Sequence, residues 1–231
     1  MAAIELYSTS LFSDSALKAY YRAEDLNDSS TNGKTLTKTG TVDHSAAKFN
    51  NGFSANFTDA TNHLTNTSVY APGTGDVTLG CWFLKNGAST QDYTPTILSL
   101  GTSGGDIRCT IEAAKTTGYV GGQFYNSGSD AFTSTTNVCD NAQHLLVMTR
   151  IGTAVKIYVD GSAVGAGATS SKNITGDDLL IGYASVGSTY DYIGQALIDD
   201  IFVMSRGLSA SEVTGLYNWT LTPFSGGIII I

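Results

Sequence analysis

Chemistry on a sugar or an ester needs side chains of the right type on one face. For glycoside cleavage, an acid and a nucleophile or base must flank one bond a few Å apart. On a strand, residues two apart share a face. No two Asp or Glu residues in the 231-residue chain are separated by one position. Adjacent acids exist at Glu24-Asp25, Asp177-Asp178 and Asp199-Asp200, but neighbours on a strand point to opposite sides. Nothing in the sequence indicates that acids on different strands converge. Gly101-Thr-Ser103-Gly-Gly105 matches the nucleophile-elbow pattern. That motif requires a helix after the serine, and Ile107–Glu112 reads as a strand. His44, His63 and His144 lack metal-ligand spacing, and no phosphate-cradling glycine loop is present.

Residues suited to binding are plentiful. Sugar recognition uses aromatic faces with amides and hydroxyls beside them. Tyr93, Tyr125, Tyr190 and Tyr192 sit in polar surroundings (Gln91-Asp-Tyr93, Phe124-Tyr-Asn126, Ser188-Thr-Tyr-Asp-Tyr192) and are the glycan-contact candidates. Each has edge-of-sheet packing as its alternative reading. Cys81, Cys109 and Cys139 form no short-spaced pair; three buried thiols are expected, with one disulfide among them as the alternative.

The elements that must position these residues are short strands. Charged residues are 14% of the chain, against roughly 25% in an ordinary domain. Polarity therefore falls to Ser, Thr, Asn and Gly, which favour turns and strands. Period-two alternation marks Leu17–Glu24 and Val77–Lys85, the latter with Val77, Leu79, Cys81 and Phe83 on one face. Thr96–Leu100 with Ile107–Glu112, and His144–Arg150 with Ala154–Asp160, read as hairpins. Asp160-Gly161 reads as a tight turn. Leu179–Tyr183 and Ala196–Met204 complete the strands. Ser209-Ala-Ser-Glu212 is a capping box opening a helix of one or two turns, with Val213, Leu216 and Tyr217 on one face. About a dozen strands and so little helix predict an all-β, two-sheet antiparallel sandwich. Residues 1–15 read as an N-terminal segment, 16–222 as the domain and 223–231 as an apolar tail. Within that tail, Ile228, Ile229, Ile230 and Ile231 close a sheet edge or contact another subunit.

Twelve Lys and Arg against 20 Asp and Glu give a net charge of -8. With no basic run, the chain is not expected to bind nucleic acid. No apolar stretch is long enough for a membrane helix, so insertion is not expected. The first residues do not read as a signal peptide.

Several segments resemble the laminin G-like branch of the concanavalin A-like lectin and glucanase jelly rolls. They are Leu17–Glu24 with the Asp28–Gly33 loop, Lys48–Phe57, Val77–Phe83, His144–Gly161 with Tyr158-Val-Asp-Gly161, and above all Gly194–Val213. Thr58-Asp59 departs from the family's Asp-Gly turn. The resemblance implies two curved sheets packed face to face. It implies that catalytic members carry their acids at alternate positions of one strand, which this chain lacks. It also implies calcium as a possible cofactor, with Asp28 and Asp199 the candidate ligands and Asp200 facing away; Asx-turn chemistry is the other reading of Asp28.

The expectation is a non-catalytic protein on a cell exterior or virion surface. It would act as a structural, decoration or adhesion subunit of a phage tail or capsid, with copies of itself, other virion proteins and surface glycan as partners. A stand-alone carbohydrate-binding module is the alternative, and a glycoside hydrolase the remote one.

Overall fold

The computed structural model describes residues 13–45, 52–57, 62–89, 95–102, 107–186 and 189–221. The chain begins with β1 (Leu17–Tyr21), β2 (Thr37–Thr39), β3 (Asp43–Ser45), β4 (Gly52–Phe57), β5 (His63–Thr67) and β6 (Val77–Asn86). It continues with β7 (Thr96–Gly101), β8 (Ile107–Ala113), β9 (Tyr119–Asn126), β10 (Ser129–Asn137), β11 (Asp140–Ile151) and β12 (Ala154–Val159). It ends with β13 (Ser162–Thr169), β14 (Asp178–Ile181), β15 (Tyr183–Val186), β16 (Thr189–Tyr192), β17 (Gly194–Met204) and α1 (Ala210–Leu221).

All strand pairs are antiparallel. One sheet runs β13-β12-β11-β6-β17-β4-β3, with β1 also on β17; the other runs β10-β9-β8-β7-β14-β5-β2. The β15–β16 hairpin stands apart and packs against β7. The expected two-sheet antiparallel sandwich is therefore the fold. Both expected hairpins form, β7–β8 and β11–β12. Asp160 (φ 52) and Gly161 (φ 80) are both left-handed, as a two-residue turn between β12 and β13 demands.

The main core lies between the sheets. Leu79, Cys81 and Phe83 of β6 meet Cys109 and Ile111 of β8, Phe124 of β9 and Leu179 and Ile181 of β14 in one buried cluster. At roughly 2 kcal/mol for each fully buried large apolar side chain, this layer is the main source of stability. A second cluster fills the opposite face of the first sheet. Tyr20, Trp82, Leu145, Val147, Tyr158 and Phe202 pack there under Val213 and Leu216 of α1. This explains why β6 is buried at nearly every position: it is covered on both faces. Trp82 is buried as expected of a mid-strand residue, but beneath the helix.

Two expectations are corrected here. Strict alternation along Leu17–Glu24 puts Leu17 on one face with Ala19, Tyr21 and Ala23, but Leu17 does not share it. A register shift between Leu17 and Ala19 sends Leu17 to the helix side, while Ala19, Tyr21 and Ala23 enter the main core. The helix is also longer than one or two turns, at 12 residues. Its capping box is present: Ser209 Oγ accepts from the Glu212 N–H at 3.3 Å, and Glu212 Oε2 accepts from the Ser209 N–H at 2.8 Å. Arg206 binds Asp14 at 2.6 Å and Glu212 at 2.7 Å, which holds Glu212 down to about 2. The three cysteines are free and buried, in keeping with the thiol reading.

Candidate functional site

The outward face of β7–β10 carries side chains of a different kind from the core. On β8, Cys109, Ile111 and Ala113 face inward, so alternation turns Arg108, Thr110 and Glu112 outward. Strand register then builds three rows. Arg108 lies between Gly101 and Tyr125; Thr110 between Ser99 and Gln123; Glu112 between Thr96 and Gly121. On β10, Ala131 follows Gln123 and Thr133 follows Gly121.

These rows are tied together. The Thr110 hydroxyl donates to Glu112 Oε1 at 2.5 Å, and Gln123 Nε2 donates to the same oxygen at 2.8 Å. Ser129 Oγ donates to Gln123 Oε1 at 2.9 Å. The Arg108 guanidinium stands 4.7 Å from the centre of the Tyr125 ring. A cavity of about 730 Å³ opens over this face, bordered by Arg108, Glu112, Lys115, Tyr119, Gln123 and Asp191 among others. Asp191 arrives from β16, which packs on β7. Its Oδ1 is buried and has no hydrogen-bond partner among the described residues. Tyr119, 37% exposed, stands at the opening.

The electrostatics follow from burial. Removal from water pushes the Asp191 carboxyl up to about 6, Glu112 opposing its charge and Arg108 partly offsetting both. Burial raises Glu112 as well, against the bonds from Thr110 and Gln123 and the charge of Arg108. Two carboxyls with weakened acidity thus border one cavity from different strands. This is a convergence across strands, of which spacing within single strands gives no sign.

The predicted residues are only partly assembled. Tyr125 lies against Arg108 at the edge of this site. Tyr192 follows Asp191 on β16, so alternation places it on the other face of the hairpin, and it does not border the cavity. Tyr190 is on the same strand, its side chain outside what is described. Tyr93 and Ile228–Ile231 lie outside the described residues.

Asp28 and Asp199, the candidate calcium ligands, are both engaged in bonds within the fold. Asp28 Oδ1 accepts from the Tyr20 and Ser30 N–H groups, and Oδ2 from Ser30 Oγ and the Lys34 N–H, all at 2.8–2.9 Å. That carboxylate is spent on locking its loop, the Asx-turn reading, and leaves little for a cation that wants six to eight oxygens. Asp199 sits at a bulge with Asp200 (φ 45), its Oδ1 accepting the Asp200 N–H at 2.7 Å. Asp200 in turn accepts from the Tyr20 hydroxyl at 2.5 Å. Burial, with Asp200 beside it, drives Asp199 far above the usual carboxylate range and so toward its neutral form. No group of three or more His, Cys, Asp or Glu suited to a metal occurs among the described residues.

Two layered antiparallel sheets with a polar, aromatic-edged cavity on one outer face define a lectin-like β-sandwich. The chain belongs to the concanavalin A-like lectin/glucanases superfamily, whose laminin G-type family matches residues 56–214. No curated protein matches it in sequence. Among solved structures it is similar to domain 4 of AbnA, a GH43 extracellular arabinanase from Geobacillus stearothermophilus solved in complex with arabinotriose. That likeness has a TM-score of 0.69 and 18% identity, over 87% of this chain and 98% of that one. It is similar to the binding domain of Paraclostridial Mosquitocidal Protein 1 (0.69, 12%, over 88% of this chain and 52% of that one). A botulinum neurotoxin type C structure, from work on cell entry dependent on two ganglioside molecules, gives 0.69 and 12%, over 93% of this chain and 53% of that one. The chain thus spans about half the length of the two toxin chains. At these identities the likeness shows the fold. Among the described residues no helix is long and apolar enough to cross a membrane.

Proposed function

We propose that the chain is a non-catalytic glycan-binding module whose site is the cavity on the outer face of β7–β10. The observation that carries this is the outward row pattern: Arg108, Glu112 and Gln123 border the cavity as a polar floor, held from behind by the Thr110 hydroxyl on Glu112 and by the Tyr125 ring against Arg108. Such a floor is built before ligand arrives, so little ordering cost falls on binding. Support comes from an arabinanase domain of the same fold solved with arabinotriose, and from a toxin structure described through ganglioside interaction. These favour the carbohydrate-binding reading over a virion subunit. Glu112 and Asp191 are read as binding groups, because one oxygen of Glu112 is already held by two donors.

The test is a glycan array followed by calorimetry on the hits, with wild type and Tyr119→Ala, each run with and without EDTA. Saturable binding that Tyr119→Ala weakens, at an unchanged melting temperature, supports the reading. Absence of binding to any glycan at millimolar ligand overturns it. Release of reducing ends from a bound oligosaccharide would replace the module with a hydrolase built on Glu112 and Asp191.

A further inference from the structure

The cavity has one acceptor whose needs the described fold leaves unmet. Glu112 Oε1 takes two donors and Gln123 Oε1 takes one, so these two acceptors of the floor are satisfied. Asp191 Oδ1 is buried, borders the same cavity and has no partner among the described residues. Its residue is only 7% exposed. Buried polar atoms are almost always paired, and an exception at a cavity wall marks the place of a missing donor. A carboxylate oxygen accepts and cannot give, so the partner must carry an O–H or N–H.

The surrounding charge narrows the ligand further. Asp191 faces Glu112 and Arg108 from β8, and Lys115 borders the same space. Arg108 is laid over Tyr125. A ligand carboxylate placed at Asp191 would be the third acid in one partly dry space, beside two whose ionisation burial already opposes. An uncharged hydroxyl meets no such opposition.

Resting on the glycan-binding reading, we propose that Asp191 is a specificity-determining residue: its buried Oδ1 accepts a hydroxyl of an uncharged sugar, and the site rejects acidic sugars. The signal lay inside a segment the sequence already marks, Tyr190-Asp191-Tyr192, but on the acid between the two rings.

The experiment pairs glycans that differ only in a terminal sialic acid, together with neutral arabino-, xylo- and gluco-oligosaccharides. Each is measured by calorimetry against wild type and Asp191→Asn, with melting curves on both proteins. Binding confined to neutral members, with affinity falling about tenfold or more in a folded Asp191→Asn, is the expected result; that is the scale for loss of a hydrogen bond to a charged group. Tighter binding of the sialylated partner, or unchanged affinity of Asp191→Asn for a neutral hit, overturns this proposal and leaves the module reading standing. No binding by any sugar overturns both.

Discussion

A carboxylate kept for a ligand should be a burden to the empty fold, and Asp191 offers a direct measurement of that burden. Its ordinary value near 3.8 is raised to about 6 in the folded chain. At about 1.4 kcal/mol per tenfold change in proton affinity, discounted for the screening that the open cavity allows, the ionised form costs the fold on the order of 2 kcal/mol at pH 7. The sign is opposite to that of a salt-bridged acid. The folded chain holds the proton more tightly than the unfolded one. The penalty is therefore full above pH 6 and fades as pH falls from about 6 to 3.8. Asp191→Asn keeps the shape and removes the charge. Its amide oxygen still lacks a donor, so part of the gain is withheld, and roughly 1–2 kcal/mol of stabilisation is expected at pH 7. For a chain of this size that is a rise of about 2–8 °C in Tm. Urea unfolding from pH 4 to 8 reads the effect: the variant leads wild type at pH 7, and the two converge toward pH 4. Because Glu112 opposes the Asp191 charge, the difference curve reads the Asp191 titration together with the relief of its neighbour, and both have the same sign. A variant less stable than wild type at pH 7, with the gap independent of pH, would mean that Asp191 is paired within the fold. The site argument would then fail.

Three further outcomes test other parts of the molecule. His144 binds Asp160 at 2.8 Å and Asp140 at 3.1 Å, and these raise it above its ordinary 6.5. The clamp's contribution is full below 6.5 and is lost as pH rises through the raised value; His144→Gln should cost about 1 kcal/mol near pH 6 and less near pH 8, by urea titration at both. Ser209→Ala removes the capping oxygen and should cost about 1 kcal/mol, seen as a lower thermal midpoint with α1 still present by circular dichroism. Gly122→Ala would set a methyl against the Thr110 carbonyl and the Phe132 ring. A loss of at least about 2 kcal/mol is expected, with glycan binding lost beyond what stability explains, because β8–β9 register aligns Arg108 with Tyr125.

The sandwich was legible because its signals are local. Val77–Phe83 announces a strand by alternation, Asp160-Gly161 a tight turn by its positive-φ residues, and Ser209–Glu212 a helix start by its cap. What resisted reading depends on more than one element. The bulge after Leu17 moves one side chain to the other face without a local cue. The helix side of the first sheet makes Trp82 and Val147 as buried as Leu79, so alternation blurs where both faces are covered. Asp28 shows the same limit in a loop. Its type and spacing admit both a cation ligand and a turn lock, and the four donors that make the lock are visible only in the folded chain.

The site was half legible, and the missing half has a physical reason. Arg108, Thr110 and Glu112 alternate with Cys109, Ile111 and Ala113, so a polar outer face on β8 can be read from the chain alone. Its meaning cannot, because a polar outer face is what any solvated strand presents. Two long-range facts turn it into a site. Register sets Gln123 and Tyr125 beside it, and β16, some eighty positions further along, brings Asp191 over it. A search for acids two apart on one strand misses such a pair by construction, since Glu112 and Asp191 become neighbours only through packing. Burial raises the proton affinity of both, and Glu112 adds to the rise at Asp191. A solvated face would leave both acids near their ordinary values, whereas this one withdraws them from water and leaves Asp191 Oδ1 without a donor. On the proposed reading, that unfilled acceptor is the feature that a hydroxyl-bearing ligand would complete.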